Sequence, residues 1–282
     1  MVAGCPAAAE FCKEHEIVES FRTISVEVNH RGVAAVRLAR EATLNAFDET
    51  MIAELTEAYV RLAARSDVRV VVLRSEGRTF CAGADLQWMR RASENGPAEN
   101  LEDARRFARM MQAIRRCPKP TIASVQGHAF GGGVGLCAAC DIVIASDQAR
   151  FSVSEARFGI LPAVIGPYLV EAVGQRQARR LALTSVQISA EEALRIGLTH
   201  RTVSLDELDD AVHEAVSDLL RNGPAALTEI KRYFDEIGEY RMSDQVHELA
   251  AQTISRVRSG DEAREGFAAF FAKRSPAWVG GM

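Results

Sequence analysis

Several features are missing from this chain of 282 residues, and each absence excludes a class of protein. No uninterrupted apolar run approaches the length that a helix needs to cross a bilayer, so a membrane protein is not expected. The formal net charge of −4 gives no reason to expect a nucleic acid or an anionic membrane as a partner. No charged segment followed by an apolar block opens the chain, so no secretory signal is predicted and the cytoplasm is the expected compartment.

The sequence also lacks the cysteine pattern of a disulfide framework or a zinc site. The six cysteines are scattered and lie mostly among apolar neighbours, unlike a disulfide framework. Cys137 and Cys140 have the C-x-x-C spacing, but no second pair completes a zinc site, so both are predicted to be small buried residues. The others are Cys5, Cys12, Cys81 and Cys117. No pattern resembles a P-loop, a metal cluster or a Ser-His-Asp arrangement.

Strand and helix patterns alternate at short intervals after residue 20. Alternating or β-branched runs predict strands at 23–28, 32–38, 68–74, 121–125, 141–145 and 200–203. Helices are predicted from the cap Asp48 to about Ala64, near Leu86, from about Glu99 to Arg116, and after a triple glycine. This alternation favours an α/β core with largely parallel crossovers.

Three regions are expected along the chain. Residues 1–20 have no clear period and are predicted to form a flexible tail. Residues 21–207 are predicted to form the core that carries the active site. Residues 208–282 are predicted to be a helical appendage used in oligomerisation, and no linker composition suggests that it folds independently.

The most informative segment contains Gly131, Gly132 and Gly133, between a predicted strand and the start of a predicted helix. Glycines let a backbone approach a ligand closely. A helix start leaves N–H groups unpaired and carries positive potential, so a developing oxyanion is stabilised there. Glu155 is the nearest downstream carboxylate in a context that suggests a fixed position. Oxyanion donors and one placed carboxylate suit proton chemistry next to a thioester carbonyl.

A second loop, Ala82-Gly83-Ala84-Asp85-Leu86, follows the strand predicted at 68–74 and opens a helix. Alone, it is a weak motif that also suits a tight turn with Asp85 as a helix cap. Combined with the triple glycine and the later Glu155, it becomes specific.

Four motifs together resemble the crotonase, or enoyl-CoA hydratase/isomerase, superfamily, and the likeness runs from about Thr23 to the C-terminus. They lie at residues 80–86, 127–135, 140–142 and 154–162. The resemblance implies a crotonase-like spiral of ββα repeats with a C-terminal helical region. It also implies homotrimers or hexamers (dimers of trimers), acyl-CoA thioester substrates, and no cofactor, since CoA is part of the substrate.

By position, the resemblance assigns the oxyanion hole to the backbone N–H groups of Ala84 and Gly132, and the acid/base role to Glu155. Burial among apolar groups is expected to raise the pKa of Glu155. Phe270 and Lys273 match positions that contact CoA near a neighbouring subunit, although a solvated cation explains Lys273 equally well. The remaining substrate-binding positions are Ala42, Thr43, Leu44, Ala82, Asp85, Leu86, Gly131 and Pro162.

The sequence departs from the family at Gly135, where hydratases carry the first of two glutamates. Two interpretations stay open: Glu155 alone supports hydration of a 2-enoyl-CoA, or the chain is a Δ3,Δ2-enoyl-CoA isomerase. A finer resemblance to bacterial methylglutaconyl-CoA hydratases, many with glycine here, favours hydration, and weakly a branched substrate. A non-catalytic acyl-CoA- or RNA-binding member is a third possibility, suggested by the lost acid and the arginines between Arg105 and Arg116, but the retained Glu155 argues against it.

Several other residues receive structural interpretations. The arginines between Arg105 and Arg116 are predicted to form a solvated helix face, because acidic residues lie beside them. His128 is expected to be packed or hydrogen-bonded rather than catalytic, and Asp141 to be a structural acceptor. Val164, Ile165 and Tyr168 are candidates for lining the acyl pocket.

Overall fold

The computed structural model describes residues 15–238 and 244–279, and a seven-stranded sheet lies at its centre. The first three strands are antiparallel, and the following neighbours in the sheet pair in parallel. Across the sheet, the strands are β1 (His15–Ser20), β2 (Ile24–Asn29), β3 (Val33–Leu38), β4 (Val70–Ser75), β5 (Thr121–Val125), β7 (Ile142–Ser146) and β10 (Arg201–Val203).

Both faces of the central strands are buried. In β4, Val71 and Leu73 belong to one apolar cluster, and Val70 and Val72 belong to another. This division follows from the period of two along a strand, which sends successive side chains to opposite faces. The continuous β-branched run is therefore explained by a sheet that is covered on both sides.

Helices cover both faces of the sheet. The first cluster includes buried residues of α1 (Glu49–Ala64), α3 (Pro97–Arg115), α4 (Gly132–Ala139) and α5 (Gly166–Thr184). The second cluster lies under α7 (Leu208–Leu220). The remaining helices are α2 (Leu86–Glu94), α6 (Ala190–Arg195), α8 (Pro224–Gly238), α9 (Asp244–Arg258) and α10 (Asp261–Phe271).

A second, three-stranded sheet positions the candidate site. It consists of β6 (His128–Phe130), β8 (Arg150–Ser152) and β9 (Ile188–Ser189). The first two strands pair in parallel, with Phe130 opposite Ser152. Their carboxyl ends therefore lie side by side.

The predicted α/β core with parallel crossovers is confirmed. The strand predicted at 121–125 has the observed bounds, and the other predicted strands between residues 23 and 203 agree with the observed ones to within two residues. The short strands β6, β8 and β9 of the second sheet were not predicted. The expected tail requires a correction, because His15–Ser20 forms β1, paired with β2. That pairing is tertiary, so the local pattern did not predict it. The rest of the expected tail, residues 1–14, lies outside the described residues.

The four cysteines in the described part of the chain are free and buried: Cys81, Cys117, Cys137 and Cys140. Burial raises the pKa of the Cys81 thiol to about 12, which disfavours the reactive thiolate. The prediction that these residues act as small buried side chains is confirmed, while Cys5 and Cys12 lie outside the described residues.

Over residues 15–238 and 244–279, no helix combines the length and the apolarity needed to cross a membrane.

We expect Asp48→Ala to lower the free energy of unfolding by about 1 kcal/mol. The Asp48 carboxylate accepts hydrogen bonds from the N–H groups of Thr50 and Met51, at 3.1 and 3.0 Å, and so caps α1. Urea denaturation measures the change. Glu57→Ala is the matched control, because it removes only an exposed pair with Arg61 and should cost less than about 0.5 kcal/mol. Equal losses in the two variants would contradict the capping role.

Candidate active site

The parallel strands β6 and β8 bring the glycine segment and Glu155 together. The Gly131 N–H donates to the Ser152 carbonyl at 2.8 Å, which extends the pairing one residue past β6. The chain after β8 then turns at Ser154 into a 3-10 helix, Glu155–Phe158. A Cβ built on Gly131 would lie 3.5 Å from Glu155 Oε1. The carboxyl group therefore lies directly beside the start of α4.

The Ala82–Leu86 loop lies on the other side of β6. The Cys81 N–H donates to the His128 carbonyl at 3.0 Å, and the Phe130 N–H donates to the Cys81 carbonyl at 2.9 Å. Gly83 follows with a φ of +93°, and a Cβ at this position would lie 2.9 Å from the Phe130 carbonyl oxygen. Glycine thus permits both the left-handed backbone and the close approach of the two loops.

The N–H of Ala84 is directed by its neighbours. The Phe47 N–H donates to the Gly83 carbonyl at 2.9 Å, and the Asp85 N–H donates to the Phe47 carbonyl at 3.0 Å. Ala84 lies between Gly83 and Asp85 in this parallel bridge, so its own N–H points away from Phe47. Among the described residues, no acceptor is hydrogen-bonded to the Ala84 N–H.

Gly132 supplies a second free N–H, as the first residue of α4. The first-turn N–H groups of a helix have no intrahelical partner, and within the described chain none is found for Gly132. Close packing also requires a glycine here, because a Cβ would lie 2.2 Å from Phe47 Cζ and 3.1 Å from Phe107 Cζ. The Phe47 ring therefore contacts the start of α4, while the Phe47 backbone pairs with the loop containing Ala84.

Glu155 is half-buried, and its Oε2 atom has no hydrogen-bond partner among the described residues. Burial raises the pKa of this carboxyl group, and the adjacent N–H groups of Glu155 and Ser154 offset only part of the rise. The expected direction of the shift is confirmed. A partly desolvated carboxyl group with an oxygen that lacks a hydrogen-bond partner is suited to accept and return a proton.

The position of the missing glutamate is packed with hydrocarbon. A Cβ built on Gly135 would lie 2.3 Å from Ile165 Cγ2, 2.9 Å from Ile165 Cβ and 3.3 Å from Met111 Cε. Ile165 is 1% exposed. A longer side chain at residue 135 would therefore have to displace a buried isoleucine. Glu155 is the acid that the structure places against Gly131, next to the free N–H of Gly132.

Asp85 has a structural function that limits its predicted contact with substrate. Its carboxylate accepts from the N–H groups of Gln87 and Trp88, capping α2, and from Arg40 at 3.2 Å. Burial would raise the pKa of Asp85, but these three donors hold it below its usual range. Arg40 also pairs with Asp48 at 3.1 Å and so links the caps of α1 and α2.

Most of the predicted substrate-binding residues lie on these adjoining loops. The Ala82 N–H donates to the Leu44 carbonyl at 3.0 Å, which attaches the exposed turn at Ala42, Thr43 and Leu44 to the second loop. Leu86 is 76% exposed, at the start of α2. Pro162 is half-buried in the chain between Glu155 and Ile165.

Phe270 and Lys273 are not brought to the site within this chain. Phe270 is 75% exposed near the end of α10, where its ring contacts Phe271. Among the described residues, no hydrogen bond or ring contact joins Phe270 or Lys273 to the glycine loops.

The other interpreted residues have mostly the predicted roles. Asp141 is a structural acceptor, bound by the N–H and hydroxyl of Thr121 and by Lys231. The Arg105–Arg116 stretch is a helix face on which Arg105, Arg106 and Arg109 pair with Glu102. His128 is more exposed than expected, because its strand lies at the surface, and its ring lies 5.2 Å from that of Phe130.

Sequence reasoning missed the contacts of Phe47, Phe107 and Met111, which support the glycines of α4. Phe47 directly precedes the α1 cap, but nothing in its local sequence indicates a contact with Gly132. The pairing of a glycine with a distant ring is decided by tertiary packing, so an ordinary apolar pattern could not reveal it.

Comparison with known proteins gives a consistent result. The family model for enoyl-CoA hydratase/isomerase matches residues 28–281. The crystal structure of an enoyl-CoA hydratase from Shewanella pealeana has a TM-score of 0.89 and 38% identity, covering 92% of this chain and 97% of that one. This likeness confirms the crotonase fold.

Two relatives are similar over nearly their full lengths. A Thermus thermophilus protein with the provisional name enoyl-CoA hydratase is 34% identical, over 90% of this chain and 99% of that protein. The carnitinyl-CoA dehydratase of Proteus mirabilis is 31% identical, over 91% of this chain and 98% of that enzyme.

We expect Gly132→Ala to lower the free energy of unfolding by about 1–3 kcal/mol, because the new methyl group overlaps the Phe47 ring. Urea denaturation measures this loss. Gly238→Ala is the matched control: a Cβ there meets nothing within 4 Å, and alanine favours the helical backbone at the end of α8. The control should be neutral or slightly stabilising. Similar stabilities for the two variants would contradict the packing described for Gly132.

Proposed function

Because the chain belongs to the enoyl-CoA hydratase/isomerase family, we propose that it catalyses the reversible addition of water to a 2-enoyl-CoA thioester. The observation that carries the proposal is the position of Glu155. Its half-buried carboxyl group has an unpaired oxygen and lies beside Gly131, next to the free N–H of Gly132.

In the proposed reaction, the thioester oxygen accepts hydrogen bonds from the N–H groups of Ala84 and Gly132. Both donors are held by backbone pairing or helix geometry, so they need little reorganisation as negative charge develops. Loss of one such donor typically costs about 3–4 kcal/mol of transition-state stabilisation. The resulting polarisation makes the β-carbon electrophilic.

One carboxyl group completes the proton balance. Ionised Glu155 accepts a proton from water as the water oxygen bonds to the β-carbon, and the π electrons move to the enolate oxygen. Protonated Glu155 then donates that proton to the α-carbon, and the carbonyl is restored. Dehydration is the reverse sequence. Proton transfer by a positioned group typically contributes about 10²–10⁴ in rate.

Isomerisation of a 3-enoyl-CoA to a 2-enoyl-CoA is the second candidate, and the Gly135–Ile165 contact favours it. The hydrocarbon there leaves no space for a second acid that could hold water. For isomerisation, Glu155 would remove a proton from the α-carbon and return it to the γ-carbon, and no water is consumed.

For the substrate, we propose a branched acyl chain such as that of methylglutaconyl-CoA. A groove of about 570 Å³ lies between α3 and the segment 163–168. Val164 and Tyr168 line it together with Arg105 and Arg109. An apolar surface with guanidinium groups suits a branched chain that ends in a carboxylate. A higher kcat/KM for crotonyl-CoA than for methylglutaconyl-CoA would contradict this choice.

We also propose that the protein assembles as a homotrimer or a dimer of trimers. The helical C-terminal region exposes Phe267, Phe270 and Phe271 on α10, and such a patch is expected to be covered by another surface. An assembly would also provide a route by which Phe270 and Lys273 could approach a site on another subunit. A monomeric mass by light scattering would contradict the proposal.

Glu155→Gln should abolish hydration of crotonyl-CoA, with a loss of at least about 10²-fold in kcat/KM. An amide cannot accept the proton, whereas the side-chain volume is nearly unchanged. Separate chromatography of hydrated and isomerised products measures both candidate reactions. Glu191→Gln, an exposed change in the first turn of α6, is the control and should retain full activity. Substantial turnover by Glu155→Gln would exclude Glu155 as the proton carrier.

The pH dependence follows from the raised pKa of Glu155. Water activation needs the ionised form, so kcat/KM for hydration should rise with pH through a pKa above the ordinary value of about 4.3. Acidification protonates Glu155, so the base is lost and the hydration rate falls. A pH profile measured with crotonyl-CoA tests this expectation, and an activity that falls as pH rises through the same range would contradict it.

A further inference from the structure

Ile165 stands out because it is joined to the candidate site through α4. The Gly135 N–H donates to the Gly131 carbonyl at 3.4 Å, so the two glycines lie one helical turn apart. One turn corresponds to a rise of about 5–6 Å. Glu155 lies against the first glycine, and Ile165 lies against the second. The carboxyl group and the isoleucine are thus consecutive contacts along the same helix.

Ile165 is also held in place. Its backbone carbonyl accepts a hydrogen bond from the N–H of Leu169 at 3.0 Å, at the start of α5, and the Pro162 carbonyl accepts one from the N–H of Gly166 at 2.8 Å. With 1% exposure, and with Gly135 and Met111 against it, the side chain cannot move away without opening the core. Its hydrocarbon is a constant part of the site's surroundings.

We propose that Ile165 is a specificity-determining residue, which restricts water beside Glu155 and so sets the balance between hydration and proton transfer to carbon. The inference rests on the proposed function. Ile165 fills the space beside Gly135, so no side chain at residue 135 can hold a water molecule there. Removal and return of an α-proton needs only Glu155 and the oxyanion donors. Hydration needs, in addition, a water molecule placed at the β-carbon.

The two steps can be measured separately. Butyryl-CoA is saturated and cannot add water, so exchange of its α-hydrogen for deuterium in D2O reports Glu155 and the oxyanion donors alone. Hydration of crotonyl-CoA reports the same groups and the placement of water. The ratio of the hydration rate to the exchange rate therefore isolates the contribution that we assign to Ile165.

Ile165→Thr and Ile165→Val form a matched pair. Both remove the Cδ1 methyl group and keep Cγ2, the atom that lies against Gly135, and the two replacements have nearly the same shape. Threonine also buries a hydroxyl group, so urea denaturation of each variant accompanies the rate measurements. They differ in a hydroxyl group that can hold water. We expect Ile165→Thr to have a hydration-to-exchange ratio about tenfold above that of Ile165→Val, the size of effect that one group in a pocket typically produces. Ile165→Val should stay within about twofold of the unaltered protein.

Ile165→Ala provides a second measurement if the threonine variant folds poorly. It opens space for water beside Gly135, so its ratio should also rise. Equal ratios for the threonine and valine variants, or an alanine variant in which both rates fall in parallel, would overturn the inference. Absence of exchange in the unaltered protein would instead contradict the proposed function, and with it this inference.

Discussion

The candidate site depends on the parallel pairing of β6 with β8. These strands are three residues long, and each leads directly into a functional segment. Because they run in parallel, their carboxyl ends emerge at the same edge, and the 2.8 Å hydrogen bond from the Gly131 N–H to the Ser152 carbonyl fixes their register. A slip by one residue would reverse the faces of β8 and so move the 3-10 helix that carries Glu155 away from α4.

The site also requires the two glycine-containing loops to approach each other closely, and glycines make this possible. The loops around Gly83 and Gly131 are in contact through backbone atoms, and the Phe47 ring fills the space beside Gly132. These contacts fix the N–H groups of Ala84 and Gly132 in place without forming hydrogen bonds to them. The same close packing, at Gly135, excludes a further side chain. Close packing thus supports the free backbone donors and leaves no room for a carboxyl group at residue 135.

A carboxyl group with an unpaired, buried oxygen does not stabilise the fold. Burial disfavours its ionised form, and the raised pKa of Glu155 reflects that cost. Asp85 shows the contrast, because its carboxylate is satisfied by two N–H groups and a guanidinium, and its pKa is lowered. The structure therefore distinguishes two acids that sequence reasoning had both assigned to the site: one caps a helix, and the other is available for proton transfer.

Much of the central sheet could be predicted from local pattern. The strand at Thr121–Val125 and the helix capped by Asp48 are decided by β-branched runs, prolines and capping geometry within a few residues. The strand His15–Ser20 could not be predicted in this way, since its hydrogen-bonding partner is β2. The exposed position of His128 likewise depends on where its strand lies in the second sheet.

The amino-acid sequence by itself determined the α/β class, the two glycine-containing loops, the single acid at residue 155 and the likeness to a family. These features follow from residue type and from spacing along the chain. Only the tertiary structure decided which groups share the site, because that depends on strand register and on contacts between distant residues. It placed Glu155 against Gly131 and seated Ile165 on Gly135, and it used the Asp85 carboxylate as a helix cap.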